Sequence, residues 1–150
     1  DADGKEHTAA LKLFTVKMES NDTLVERMHE AFGCDPADIH AAIGPSICQE
    51  CYEVSSDVAE EFQNAFAGMN GTETLLYQKP EQKAEGKYQL DLWLANQLWL
   101  TDAGITSEHL EVTNVCTAHN PAYLFSHRKT NGKRGNLGAF LCLKKNRTEE

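Results

Sequence analysis

The chain is short of the features by which membrane, secreted and nucleotide-phosphate proteins announce themselves. No apolar run approaches the roughly 18 residues that cross a bilayer. The opening residues Asp-Ala-Asp-Gly-Lys-Glu-His have neither the basic start nor the apolar core of a signal peptide. There is no P-loop and no dinucleotide fingerprint. Paired carboxylates at catalytic spacing are missing, since Glu60-Glu61 and Glu149-Glu150 read as solvated faces. The six histidines form no cluster of the kind that several copper ions need, and His7, His29, His40 and His109 read as polar surface residues. Positive charge is scarce: 14 Lys and Arg stand against 23 Asp and Glu, a net charge of −9. That balance argues against nonspecific binding of nucleic acid or anionic membrane over most of the surface. Five cysteines are an odd count and nothing else suggests secretion, so reduced thiols in a cytoplasmic protein are expected. What remains is ordinary globular material. With 150 residues, 41% apolar and 25% charged, the chain fits one domain with one core. It does not begin with Met, which suggests a processed or truncated piece.

Residues 1–20 stay undecided, because Ala9–Met18 fits a strand or a helical turn equally. From Asn21 the pattern is clearer. Asn21-Asp22-Thr23 caps a helix with Leu24, Val25, Met28 and Phe32 on its apolar face, and Gly33 stops it. A turn over Cys34–Asp38 leads to a short buried strand, Ile39–Ile43, ending at Gly44-Pro45. A second helix follows Ser55-Ser56-Asp57 and turns Val58, Phe62, Ala65 and Phe66 inward, with Asp57 and Glu60 resembling a capping box. Gly68–Thr72 reads as a loop, Thr74–Gln78 as a strand and Lys79–Lys87 as polar and exposed. Asp91 caps a third helix, Leu92–Ala103, with Leu94, Leu98 and Trp99 inward and Gly104 as its stop. Strands over Leu110–Val115 and near Leu137–Lys144 flank a long polar loop, and 146–150 are a tail. Early alternation of helix and strand followed by strands predicts a mixed sheet covered by helices.

That polar loop, Cys116–Asn136, is where chemistry concentrates. It carries a cysteine, two histidines, a serine and two arginines, and flanking strands would fix its ends. Residues 128–147 hold seven of the fourteen basic residues and no acidic one. A cationic segment on an acidic body is a candidate site for phosphate or carboxylate. Arg128 and Arg134, flanked by Ser126, His127 and glycines, are the candidates, whereas Lys144, Lys145 and Arg147 read as solvated. Cys116 or Ser126 beside His127 or His119 can be drawn as a nucleophile–base pair, although sequence proximity does not establish a hydrogen bond. A second loop, Ile43–Val54, has Gly44 for unusual backbone geometry and Pro45 for stiffness. Its Cys48-x-x-Cys51 pair would suit a redox dithiol only at a helix start, and the expected helix begins near Asp57. The same pair could join Cys116-x-x-His119 in a tetrahedral Cys3His zinc site, each spacing being permitted although 64 residues separate Cys51 from Cys116. Cys34 and Cys142 read as inert core thiols.

Three stretches in order, IGPSICQECYEV, YQLDLWLANQLWLTDAGI and VCTAHNPAYLFSHRKTNGKRGNLGAFLCLK, resemble the YfiH-type laccase-domain family over about residues 23–145. Members have been called polyphenol oxidases and purine nucleoside phosphorylases, and a peptidoglycan-quality role has been attached to some. The resemblance implies a three-layer α/β/α fold with mixed sheets, spanning 21–145 here. It implies phosphorolysis of adenosine, inosine, guanosine or methylthioadenosine, with adenosine deamination as a second activity. It also implies zinc held by two histidines and a cysteine in the N-terminal half of the family's domain, one of them in a His-Ala-Gly-Trp-Arg-Gly motif. That motif and an Asp-Cys-x-Pro segment do not occur here, so the chain looks like a C-terminal half, with no metal ligand assigned. Phe125-Ser126-His127-Arg128 matches a segment written more often Phe-Ser-Tyr-Arg.

The expected substrates are therefore a purine nucleoside and phosphate. Arg128, His127 and Ser126 are the candidate catalytic residues. Lys133 and Arg134 support the anion contact, and Gly44, Pro45, Cys51 and Tyr52 line a pocket. The chain alone is expected to be inactive or nearly so, with self-association through unpaired sheet edges. The alternatives are a non-catalytic interaction module on the same scaffold and a structural zinc domain built on Cys48, Cys51, Cys116 and His119. A copper oxidase has the least support.

Overall fold

The structure, a computed structural model, describes residues 24–133, 135–138 and 140. Helix α1, Leu24–Phe32, forms where the apolar spacing predicts it and ends at Gly33, which adopts φ 67°. Its cap at 21–23 lies outside the described residues. Val25 is buried, but Phe32 is exposed rather than inward. Asp35 then caps a 3₁₀ turn, Pro36–Asp38, by accepting the Ala37 N–H. That turn holds Ile39 through its N–H to the Pro36 carbonyl, so strand β1 covers only Ala41–Ile43.

Strand β2 (Glu53–Ser55) runs directly into helix α2 (Ser56–Ala65). The N-cap is Ser55, without a side-chain cap bond, so the capping box expected from Asp57 and Glu60 does not form. Strand β3 is Leu76–Tyr77, and β4 is Lys87–Leu90. The sequence pattern had not separated β2 or β4 from the neighbouring loops. Both are short and carry polar residues, yet β4 is the central strand of an antiparallel sheet ordered β2-β4-β3. Its Gln89 and Leu90 are 2% and 0% exposed. The preceding 80–85 turn is not exposed throughout either. Gln82 is buried, donating to Glu53 Oε2 at 2.6 Å and accepting from the Lys79 N–H.

Helix α3, Leu92–Asp102, starts at Asp91, whose carboxylate accepts the Leu94 N–H. It ends at Gly104, where φ is 100° and an added Cβ would lie 2.8 Å from Pro36 Cβ. Turn geometry and close approach both require glycine there. The core gathers Val54, Ala59, Phe66, Leu75, Leu90 and Ala95 between α2, α3 and the antiparallel sheet. Phe66 meets Trp99 edge-on at 5.2 Å and stacks with Phe62 at 6.0 Å. Strand β5, Leu110–Val112, pairs in parallel with β1. It is shorter than expected because Asn114 takes φ 52°. The last strand, expected near 137–144, falls mostly outside the described residues. The fold is thus α+β with parallel and antiparallel sheets. No helix among the described residues is long and apolar enough to cross a membrane.

Leu90 sits at the centre of this core, so Leu90→Ala should destabilise the fold by about 2–5 kcal/mol. Urea unfolding followed by circular dichroism measures it, and a loss below about 1 kcal/mol would mean that the antiparallel sheet is not the main core.

Candidate metal centre and the adjoining cationic loop

The site begins with the parallel pair. Ala41, Ala42 and Ile43 of β1 stand opposite Leu110, Glu111 and Val112 of β5. Pairing continues beyond both strands: Thr113 donates to the Ile43 carbonyl, Ser46 to Val115, and Thr117 to Ser46, at 3.0–3.2 Å. The loops that leave the carboxyl ends of two parallel strands are therefore zipped together, a position where α/β proteins commonly bind ligands. Cys48 donates its N–H to Cys116 Sγ at 3.3 Å. A 3₁₀ turn, Gln49–Cys51, brings Cys51 back toward the same point. His119 closes the group, with Nε2 3.1 Å from Cys51 Sγ and Nδ1 4.0 Å from Cys48 Sγ. The ligand atoms of Cys48, Cys51, Cys116 and His119 all lie within 4.8 Å of one another.

Polar side chains hold both loops from behind. Gln89 donates to the carbonyls of Gln49 and Glu50 at 2.7 and 3.1 Å and accepts from Gln82. Gln49 donates to the Thr74 carbonyl at 2.7 Å, Asn120 to the Cys116 carbonyl at 2.8 Å, and the Trp93 indole N–H to Ser46 Oγ. Crowding sets the thiol chemistry. Burial, then the Cys48 hydrogen bond and the nearby Cys48 and Cys116 sulfurs, push the Cys51 thiol up to about 12. Burial also raises the Cys116 thiol, but N–H groups of Cys48, His119 and Ala118 aimed at its sulfur bring it below the ordinary value. Cys116 is buried, Cys51 half-buried and His119 exposed.

The cationic loop meets this cluster at Tyr52. Arg128 places its guanidinium over the Tyr52 ring, 5.2 Å from the centroid, and donates from Nη1 to the Glu53 carbonyl at 2.9 Å. Arg128 is thereby brought to Tyr52 and Glu53, the hydrogen bond to Glu53 spanning 75 residues of chain, and Cys51 directly precedes Tyr52. The Glu53 carboxylate turns away to Gln82 and then Lys87, at 2.6 and 3.2 Å, which hold it below its usual range. Ser126 is 3% exposed; its hydroxyl accepts from Lys129 and its carbonyl from Thr130, so it anchors a turn. His127 is exposed, with its ring against Gly132. Lys133 is exposed at the end of that turn, and Arg134 lies outside the described residues. Gly44 does not adopt the unusual backbone geometry expected of it, and a Cβ there would meet nothing within 4 Å. Pro45 is exposed beside it. Sequence reasoning missed Glu53, Gln82 and Gln89. No pattern marks a glutamine in a short strand as the support of a distant turn.

With parallel strand exits, a capped α3 and the two loops in this order, the molecule has the architecture of the laccase-domain class. The chain belongs to that family: residues 18–144 match the family model described as multi-copper polyphenol oxidoreductase laccase. It is similar to the purine nucleoside phosphorylase YlmD of Bacillus subtilis, 36% identical over 130 residues, covering 87% of this chain and 44% of that protein. It is also similar to the adenosine deaminase RL5 of an unknown prokaryotic organism, 35% identical over 91 residues, covering 61% of this chain and 32% of that one. Among solved structures it resembles the hypothetical protein YfiH of Bacillus licheniformis, with TM-score 0.66, 33% identity, and coverage of 75% of this chain and 40% of that one. The chain spans less than half the length of these relatives.

The donor set tests the metals that family and resemblance imply. Several copper ions would need many imidazoles, whereas the one group of three or more potential ligands among the described residues is three sulfurs and one imidazole. Zinc on two histidines and a cysteine does not match it either. Four protein donors fill every corner of a tetrahedron, whereas catalytic zinc keeps one open. This set does not fit a catalytic metal.

The raised Cys51 thiol has a direct readout. In metal-stripped protein, alkylation of Cys51 should keep rising with pH beyond the ordinary thiol value of 9.0, because the reactive thiolate appears only as pH approaches about 12. Peptide mass spectrometry of the labelled protein follows it, and a midpoint at pH 9.0 would contradict the crowding described here.

Proposed function

We propose that the chain supplies the anion-binding side of the active site of a purine nucleoside phosphorylase. Its substrates would be adenosine, inosine, guanosine or methylthioadenosine, with adenosine deamination as a second activity. The observation that carries this reading is Arg128, a cation braced by Tyr52 and the Glu53 carbonyl, in a chain whose relatives are named purine nucleoside phosphorylases and, in one case, adenosine deaminase. Phosphorolysis places phosphate at the anomeric carbon as the bond to the purine nitrogen breaks and its electron pair moves onto the base. The protein's contribution is to hold the anion in line and to stabilise charge on the departing purine. Arg128 has five N–H donors, of which one is used on Glu53, so a bidentate grip on phosphate remains open to it.

Lys133 and Arg134 add positive charge from the same loop. Gly44, Pro45, Cys51 and Tyr52 form the facing wall, where the lack of a side chain at Gly44 leaves room for substrate. Buried Ser126 fixes the turn that presents His127 and Arg128, and His127 is the group at hand to exchange a proton with the leaving base. A domain over 21–145, a cytoplasmic location and a further segment completing the site belong to the same reading.

Arg128→Ala should weaken inorganic phosphate binding about tenfold or more, the loss of one charge-assisted contact. Isothermal titration on the purified chain measures it, and an unchanged affinity would remove Arg128 from the clamp. Hypoxanthine release from inosine and phosphate by the 150-residue chain should stay near background, and full turnover would overturn the division of the site.

A further inference from the structure

We propose that Cys48, Cys51, Cys116 and His119 bind one Zn²⁺ in a closed tetrahedral site, and that this ion is a structural clasp between the loop leaving β1 and the loop leaving β5. The proposal stands on donor geometry and is independent of the phosphorylase reading. Four potential ligand atoms from two distant stretches converge within 4.8 Å. Ligands on one zinc ion stand roughly 3.5–3.8 Å apart, given Zn–S of about 2.3 Å and Zn–N of about 2.0 Å. The present separations, from 3.1 Å between His119 Nε2 and Cys51 Sγ up to at most 4.8 Å, therefore need only small adjustments in either direction. Each arm has a two-residue spacer and each is bent by a hydrogen bond: the Cys51 N–H to the Cys48 carbonyl closes the 3₁₀ turn, and the Asn120 side-chain amide donates to the Cys116 carbonyl.

The chemistry of the donors selects the ion. Three thiolates and an imidazole suit zinc and discriminate against magnesium and calcium, which take oxygen. Binding releases the three thiol protons and leaves a complex of net charge −1. The Cys48 N–H pointed at Cys116 Sγ, 3.3 Å away, is the kind of outer contact that steadies such a thiolate. With all four positions taken by protein, no water or substrate is bound, so the role is structural. The clasp also reaches the cationic loop, because Cys51 directly precedes Tyr52, on which Arg128 rests.

The test is zinc stoichiometry by mass spectrometry on chain purified with Zn²⁺ and dialysed, together with the visible spectrum after Co²⁺ substitution. One zinc per chain is expected, with tetrahedral cobalt bands and sulfur-to-metal charge transfer. His119→Ala should lower zinc affinity by about a hundredfold or more, taking one ligand as roughly a quarter of a four-ligand site. His119→Cys, which rebuilds four donors, should restore it, and Cys34→Ser, outside the cluster, should leave it unchanged. Zinc removal should alter the fluorescence of Trp93, whose indole is bonded to Ser46 in the clasped loop. Because Cys48→Ser could fail to fold, His119→Ala and its rescue carry the decision. No bound zinc, copper(I) taken in preference, a Cys48–Cys51 disulfide in its place, or zinc held equally by His119→Ala would each overturn the proposal.

Discussion

Everything at the candidate site depends on the parallel pairing of β1 with β5. Three paired positions would make a weak strand contact by themselves. Here the ladder runs on through Ser46 and Cys116, so the two loops leave the sheet already in register. Cys48 follows Ser46 by two residues, and His119 follows Cys116 by three. Once the register is set, the thiols and the imidazole have little choice but to meet. A slip of one residue would turn alternate side chains to the opposite face and disperse the group.

The second dependence is on buried amides. Gln89, in the middle of the antiparallel sheet, bonds two carbonyls of the turn that carries Cys51, while Gln82 ties Gln89 to Glu53. The hydrophobic core around Phe66 and Leu90 is thus coupled by hydrogen bonds to the site rather than merely lying beneath it. Unsatisfied buried amides are costly, so such a network holds one geometry and resists others. Arg128 continues the chain of contacts outward. Its cation on Tyr52 and its donor on Glu53 bind the basic loop to the strand that follows the cysteine turn. Metal-type donors, core amides and the anion-binding candidate form one connected structure.

The family description names several copper ions, and the resemblance implies a zinc with a mixed histidine and cysteine shell. The donors gathered here suit neither task, and their closure points to architecture instead of catalysis. A clasp would suit a chain whose β1, β2, β3 and β5 have only two or three residues each. Short strands give few ladder bonds, and a metal cross-link supplies the order that they lack.

The sequence by itself determined the local events. Gly33 and Gly104 stop helices, Asp91 caps α3 through its side chain, and the Val58–Phe66 spacing builds the inner face of α2, because these depend on neighbours within a few residues. It also determined the ligand spacings, Cys48-x-x-Cys51 and Cys116-x-x-His119, and the concentration of cations after residue 127. Tertiary structure decided the rest. Whether the Cys48–Cys51 and Cys116–His119 pairs, 64 residues apart, would join was a question of strand register, which no local pattern encodes. Strand β4 was illegible because Lys-Tyr-Gln-Leu is polar in isolation and becomes central only when Gln82, Gln49 and Glu50 satisfy Gln89. Ser126 and Arg128 are both polar residues of one loop, and only folding turned the first inward as an anchor and laid the second across Tyr52. Periodicity and capping are short-range and readable, whereas pairing partners and buried polar contacts are long-range and fixed only by the closed fold.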